Sequence, residues 1–208
     1  LALFQFLQFF IWGSWTVTTG TYLLQTLHFS GREVGLVYGT TAIAAMVSPF
    51  WAGRLADQHF RLERILAVLH FTGGLLMFAL STLQEFAFFY PVMLLYAICY
   101  MPSFALSTAM TFHNIPEPAR DYPRLRVWGT LGWIATGLCV GGLDLETTTL
   151  PLRLSAIASI FQSIYVLSLP PTPPLGKKQT TSLWLTGKDL LRDRSFLVLL
   201  IALTLICI

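Results

Sequence analysis

The chain has 208 residues, of which 55% are hydrophobic and only 11% charged, and its formal net charge is +3. A soluble domain carries about 25% charged residues; here the apolar residues fall in long blocks separated by short polar patches, the pattern of a chain solvated by lipid. The basic residues are dispersed through the connections, with no basic face interleaved with aromatics, so no nucleic acid is expected as a partner.

In chain order, the apolar blocks predict transmembrane helices over 1–24, 34–56, 65–83, 88–112, 125–143 and 152–169, with a seventh beginning near 195. Each full block approaches the length of about 20 residues that crosses the hydrocarbon core. The first lacks the basic start and small-residue cleavage site of a signal peptide and contains Gln5, Gln8, Trp12 and Trp15, so it reads as a span. The connections after spans one to five are short. The one after span six, "PPTPPLGKKQTTSLWLTGKDLLRDR", is long and opens with prolines. The expected organisation is an all-α multi-pass membrane protein: a six-helix bundle over 1–169, a cytoplasmic central loop over 170–194 and the start of a seventh helix over 195–208. That last block is shorter than a span, so the chain is expected to be a piece of a longer protein.

Charge fixes the expected orientation. With the N-terminus in the cytoplasm, Arg54, Arg61, Arg64, Arg120, Arg124, Arg126, Lys177, Lys178, Lys188, Arg192 and Arg194 all fall at cytoplasmic ends, and only Arg32 and Arg153 fall outside. The opposite orientation inverts that ratio, against the positive-inside rule.

Within span one, Gln5, Gln8, Trp12, Trp15, Thr19 and Tyr22 follow steps of three and four and form one helical face. Span four repeats the pattern with Tyr100, Ser103, Ser107, Thr111 and Asn114, and span five with Arg126, Thr130, Trp133 and Gly137. Small and hydroxylated residues commonly serve helix–helix packing, and Gly137 with Gly141 suits that reading. Buried indoles and amides need hydrogen-bond partners, so several such faces in one bundle point to a polar, aromatic-lined cavity for a flat, hydrogen-bonding solute. Catalysis has little support. His28, His59, His70 and His113 are scattered without metal-ligand spacing, there is no nucleophile elbow or phosphate-cradling glycine loop, and no cofactor is expected. His70 alone lies well inside a span, where a histidine is a structural hydrogen-bonding residue or a functional one. Cys99, Cys139 and Cys207 sit in apolar blocks as small buried side chains.

Between spans two and three, "GRLADQHFRLER" places Gly53 four residues before Asp57 and Arg61 four after it. This resembles the signature loop of the major facilitator superfamily, with Gln58 where a base is usual and Phe60 where a second glycine is common. The resemblance implies that Gly53 packs closely against the other half of a transporter and that Asp57, with Arg61, forms a latch holding one access state. A narrower resemblance rests on "FLQFFIWGSWTVTTGTYL", "YMPS" at 100–103 and "DYPRLRVWGTLGW" at 121–133: the chain is similar to the nucleoside:proton symporter family of bacterial permeases over almost its whole length. Thr108 departs from the asparagine common in relatives.

That resemblance implies twelve spans in the whole protein, of which this is the N-terminal half, in an inner membrane and partnered by a C-terminal six-helix half. It implies import of a nucleoside with a proton. Arg126, Thr130 and Trp133 would belong to the nucleoside site, with Pro123 starting the fifth helix and Arg126 in its first turn; Gln8, Trp12 and Tyr100 join them as the polar and aromatic faces of spans one and four. The acids all fall at span ends or in loops, so a proton-coupling carboxylate is expected in the other half. A sugar or other small-solute symporter of the same superfamily, and a membrane receptor that lost transport, are the alternatives.

Overall fold

The structure, a computed structural model, describes residues 1–174 together with 197 and 198. Six long helices account for the first compact unit, Leu1–Pro174: α1 (Ala2–Thr16), α2 (Gly31–Gln58), α3 (Leu62–Leu80), α4 (Phe86–His113), α5 (Pro118–Gly142) and α6 (Leu150–Val166). The six predicted spans map onto these six helices in order. Of the expected loop only residues 170–174 are described, and of the expected seventh helix only Leu197 and Val198, which are helical.

Two boundaries differ from expectation for identifiable reasons. Span one is not one continuous helix. It stops at Thr16, resumes over Thr19–Thr21 and ends in a π-helical turn, Tyr22–Thr26. The Tyr38 hydroxyl of α2 is inserted into the backbone ladder: it donates to the Thr16 carbonyl at 2.7 Å and accepts from the Gly20 N–H at 2.9 Å. Those two backbone groups would otherwise bond each other across one α-helical turn, and side-chain insertion of this kind is a recognised cause of helix breaks. The hydroxyls of Ser14, Thr16 and Thr18 bond back to carbonyls four residues earlier, which loosens the same stretch.

The fifth helix starts at Pro118, not near 125. Pro118 takes the first turn behind Glu117, and Pro123 lies inside the helix. Proline is tolerated in the first turn, where its missing N–H has no helical partner to lose, so Pro118 sets the boundary, while Pro123 lies further in and leaves the Ala119 carbonyl without its helical donor. Arg126 therefore sits not in the first turn but about 12 Å along the helix.

Packing follows a symmetric scheme. α1 packs on α5 and α6, α2 on α4, and α3 on α4 and α6. Exchanging α1 with α4, α2 with α5 and α3 with α6 maps every one of these contacts onto another member of the set. That is the signature of two inverted three-helix repeats within one six-helix half. The α1–α5 seam is the closest: a Cβ on Gly132 would run into the Phe6 backbone, and the Thr136 hydroxyl, 2.8 Å from the Gly132 carbonyl of its own helix, shares its proton with the Phe10 carbonyl across the seam at 3.2 Å.

The polarity is inverted relative to a soluble domain. Val68, Phe71, Leu75 and Phe78 form an exposed stripe on α3, and Ile157, Phe161 and Ile164 form one on α6. Gln5, Gln8, His70, Ser103, Thr111 and Gln162 are buried. Apolar groups outside and hydrogen-bonded polar groups inside suit a lipid solvent, which gives no hydrophobic drive to bury leucine. At one end the segment after α6 docks back onto the bundle through Thr172. Its N–H donates to Glu63 Oε2 at 3.0 Å, its carbonyl accepts from Leu62 N–H at 3.2 Å, and its hydroxyl accepts from Asn114 Nδ2 at 2.9 Å. This buries Glu63, which the sequence placed at a span end.

Candidate substrate cleft

α1 packs densely on α5, while α4 and α5 barely touch. The gap leaves a cleft of about 210 Å³ walled by Gln5 and Phe9 of α1, Phe104, Ser107 and Thr108 of α4, and Tyr122 and Arg126 of α5. Each helix contributes residues one turn apart, so regular α-geometry suffices to build the walls.

Arg126 is the one permanent cation among these lining residues. Its guanidinium carbon lies 3.9 Å above the centroid of the Phe9 ring. A guanidinium over an aromatic face is attracted by the ring, and its five N–H donors serve other partners. Gly129 makes this possible: a Cβ there would lie 2.6 Å from Phe9 Cδ2 and 2.9 Å from Arg126 Nη1. The glycine in the Arg-x-Trp-Gly-Thr string is thus the space occupied by the ring and the cation. Gln5 donates one amide N–H to Thr111 Oγ1 at 2.9 Å, and Thr108 donates its hydroxyl to the Phe104 carbonyl at 2.9 Å. The cleft therefore combines three aromatic side chains, a fork of donors, an amide and hydroxyls.

Of the residues expected from the sequence, Arg126 lines the cleft. Thr130 stands exposed on α5 one turn beyond it. Trp133 is half-buried against α1, where its ring occupies the space beside Gly13. Gln8, Trp12 and Tyr100 come together behind the cleft. Tyr100 stacks on Trp12 (5.7 Å between centroids, 4° between planes) and on Tyr96 (5.4 Å, 15°), and its hydroxyl donates to the Gln8 carbonyl. Phe104, itself a cleft wall, stands edge-on to both Trp12 and Tyr100.

The expectation that the whole polar face of span one lines a cavity needs correction, because Gln8, Trp15, Thr19 and Tyr22 are buried among neighbouring helices. A helical wheel shows which residues share a face but not whether that face meets space or another helix. Gln8 Nε2 donates to Ser103 Oγ at 2.7 Å, and Gln8 Oε1 accepts from Gln162 Nε2 at 3.0 Å. Interhelical hydrogen bonds in membranes average only about 0.6 kcal/mol, so these bonds fix orientation more than they add stability.

Phe9, Phe104, Ser107, Thr108 and Tyr122 complete the cleft. The usable signal was spacing: Phe9 is one turn from Gln5, and Tyr122 one turn before Arg126. For the latch set, Gly53 lies in α2 with open space where a Cβ would stand, Asp57 is exposed in the last turn of that helix, and Arg61 is exposed just before α3. Among the described residues none of these forms an ion pair.

Comparison with known proteins places this geometry in a family. A family model described as nucleoside H+ symporter matches residues 1–208. The chain is 40% identical to the putative nucleoside transporter YegT of Escherichia coli K12 over 95% of its own length and 49% of that protein's. It is also 40% identical to the xanthosine permease of the same organism, covering 88% of this chain and 45% of that one. The crystal structure of the nucleoside transporter NupG superposes with a TM-score of 0.83 at 28% identity, over 96% of this chain and 51% of that one. The chain thus spans about half the length of the curated relatives it matches. With six helices in two inverted repeats and a full-length family match, the chain belongs to the nucleoside H+ symporter family.

Proposed function

We propose that this chain is the N-terminal half of a secondary transporter that imports nucleosides together with protons by alternating access. The observation that carries the reading is the cleft between α1, α4 and α5, where Arg126 lies over the Phe9 ring beside aromatic, amide and hydroxyl groups. A nucleoside offers a flat base for the aromatic faces and ribose hydroxyls and base carbonyls for the guanidinium edge. Binding and release across a membrane need no covalent step, so no catalytic residue is assigned. Coupling requires a titratable group, which this reading assigns to the C-terminal half; the substrate then lies between the halves, as in transporters built from repeats. The expected partners are the nucleoside, the proton, the lipid bilayer and that second half. Gly53, Asp57 and Arg61 are assigned to a latch with it, residues 170–194 to the cytoplasmic linker and 195–208 to the start of the seventh span.

Cells expressing the full-length transporter should accumulate radiolabelled uridine, and collapse of the proton gradient should abolish the accumulation. Uptake of a sugar unaffected by excess uridine would defeat the nucleoside assignment, and binding without uptake would favour a receptor.

The inner-membrane topology has its own test. In a background lacking the native cysteines, Gln58→Cys should be labelled by impermeant thiol reagents only from the cytoplasmic side, and Glu146→Cys only from outside. The reverse pattern would overturn the orientation drawn from the distribution of Lys and Arg.

A further inference from the structure

We propose that His70 is a positioning residue that acts as a hydrogen-bond acceptor, locking the direction of the Gln162–Gln8–Ser103 relay that holds Tyr100 behind the cleft, and that it does not carry the transported proton. The inference rests on the nucleoside-transport reading for its functional consequence and on the geometry of four helices for its chemistry.

His70 of α3 is 1% exposed, and Gln8 of α1, Ser103 of α4 and Gln162 of α6 are fully buried. Their helices are the two pairs exchanged by the internal symmetry, α1 with α4 and α3 with α6. The direction of each bond follows from the next. The Ser103 hydroxyl gives its proton to the Tyr100 carbonyl at 2.6 Å, so it accepts from Gln8 Nε2. That turns Gln8 Oε1 toward α6, where it accepts from Gln162 Nε2. The same Gln162 nitrogen lies 3.3 Å from His70 Nε2, so with the amide in this orientation, its Oε1 buried without a partner, the ring nitrogen presents its lone pair. The relay selects the neutral ring with its proton on Nδ1.

A proton on Nε2 would aim one N–H at another. Relieving that clash requires both glutamines to turn over and Ser103 to release the Tyr100 carbonyl. The ring also stands edge-on to Tyr100, with centroids 5.9 Å apart. Around it α1 presents Gln8, α6 presents Gln162 and α4 presents Tyr100, the one titratable group of the three; among the described residues no carboxylate or cation hydrogen-bonds the ring. Tyr100 supports Trp12 and Phe104, and Phe104 walls the cleft. The acceptor on His70 is thereby connected to the substrate site without touching it.

The test uses the full-length transporter in three forms: wild type, His70→Gln and His70→Phe. A glutamine carbonyl can reach the position of Nε2 and accept, whereas phenylalanine keeps a ring without an acceptor. His70→Gln should bind uridine within about threefold of wild type and keep the wild-type pH profile of uptake. His70→Phe should lose about tenfold or more in affinity, the usual consequence of stranding a buried donor. Wild-type binding by His70→Phe would overturn the proposal. If that variant fails to fold, His70→Gln decides alone: preserved uptake with an unchanged pH profile supports it, and a folded protein without proton-dependent uptake overturns it. Wild-type protein that binds no nucleoside would overturn the functional reading instead, a separable result.

Discussion

Replacing Arg126 by lysine should damage uridine binding almost as badly as replacing it by alanine. The side chain lies over the Phe9 ring, accommodated by the missing Cβ of Gly129, and lines the cleft. An ammonium keeps the charge but has neither the planar fork nor the flat stacking surface. Loss of hydrogen bonds to a buried partner costs about 1–3 kcal/mol, or roughly ten- to hundredfold in affinity. The competing account is an arginine that reaches past the bundle to lipid headgroups, as Arg124 does if it snorkels; lysine performs that task equally well. Binding of uridine to purified full-length variants, with monodispersity as the check on folding, separates the two. Wild-type affinity in Arg126→Lys would leave the residue as a membrane anchor. Phe9→Leu supplies an internal control: it keeps the apolar contact and removes the π-face, so it should weaken binding by about 0.5–2 kcal/mol with Arg126 intact.

How far this site could be read from the sequence depended on which physical signal each part carried. The six helices were legible because lipid demands long apolar blocks, and their order survived intact. Arg126 was legible because a permanent cation near an apolar span is costly and calls for a reason. The interior was only half legible. Gln8 and Tyr100 announced a polar face by their spacing, but whether that face met a cavity or Gln162 depended on the placement of α6, more than 150 residues away. Spacing put Phe9 one turn from Gln5, but a phenylalanine in a span is ordinary until an arginine is found above it. The break in α1 was hidden for the same reason: its cause is the hydroxyl of Tyr38, on the next helix. Pro123 misled because a proline commonly begins a helix, whereas here Pro118 begins α5 and Pro123 is carried inside it.

The largest effect on folding should come from a single methyl group at Gly132. Its helix, α5, meets α1 so closely that an alanine Cβ would collide with the Phe6 carbonyl oxygen and come within 3.1 Å of the Phe10 N–H nitrogen. Both are backbone atoms, so no rotamer change relieves the contact and the two helices must separate. Separation would weaken the Thr136 bond to the Phe10 carbonyl and shift Phe9 on the same helix away from Arg126. Overpacking of this kind typically costs 1–3 kcal/mol or more where the surroundings are rigid, and small residues at membrane helix interfaces exist to permit such approach. Gly73 provides the contrast. It is also buried and helical, but a Cβ there would meet only the edge of Tyr96 at 3.6 Å, an ordinary contact, and alanine is the better helix former by about 1 kcal/mol. Gly132→Ala in the full-length protein should therefore lower the thermal midpoint in detergent and reduce the monodisperse yield sharply, while Gly73→Ala should match or exceed wild type. Equal stability of the two variants would show that α1 and α5 are not in backbone contact at Gly132, and the wall that holds Phe9 under Arg126 would have to be built another way.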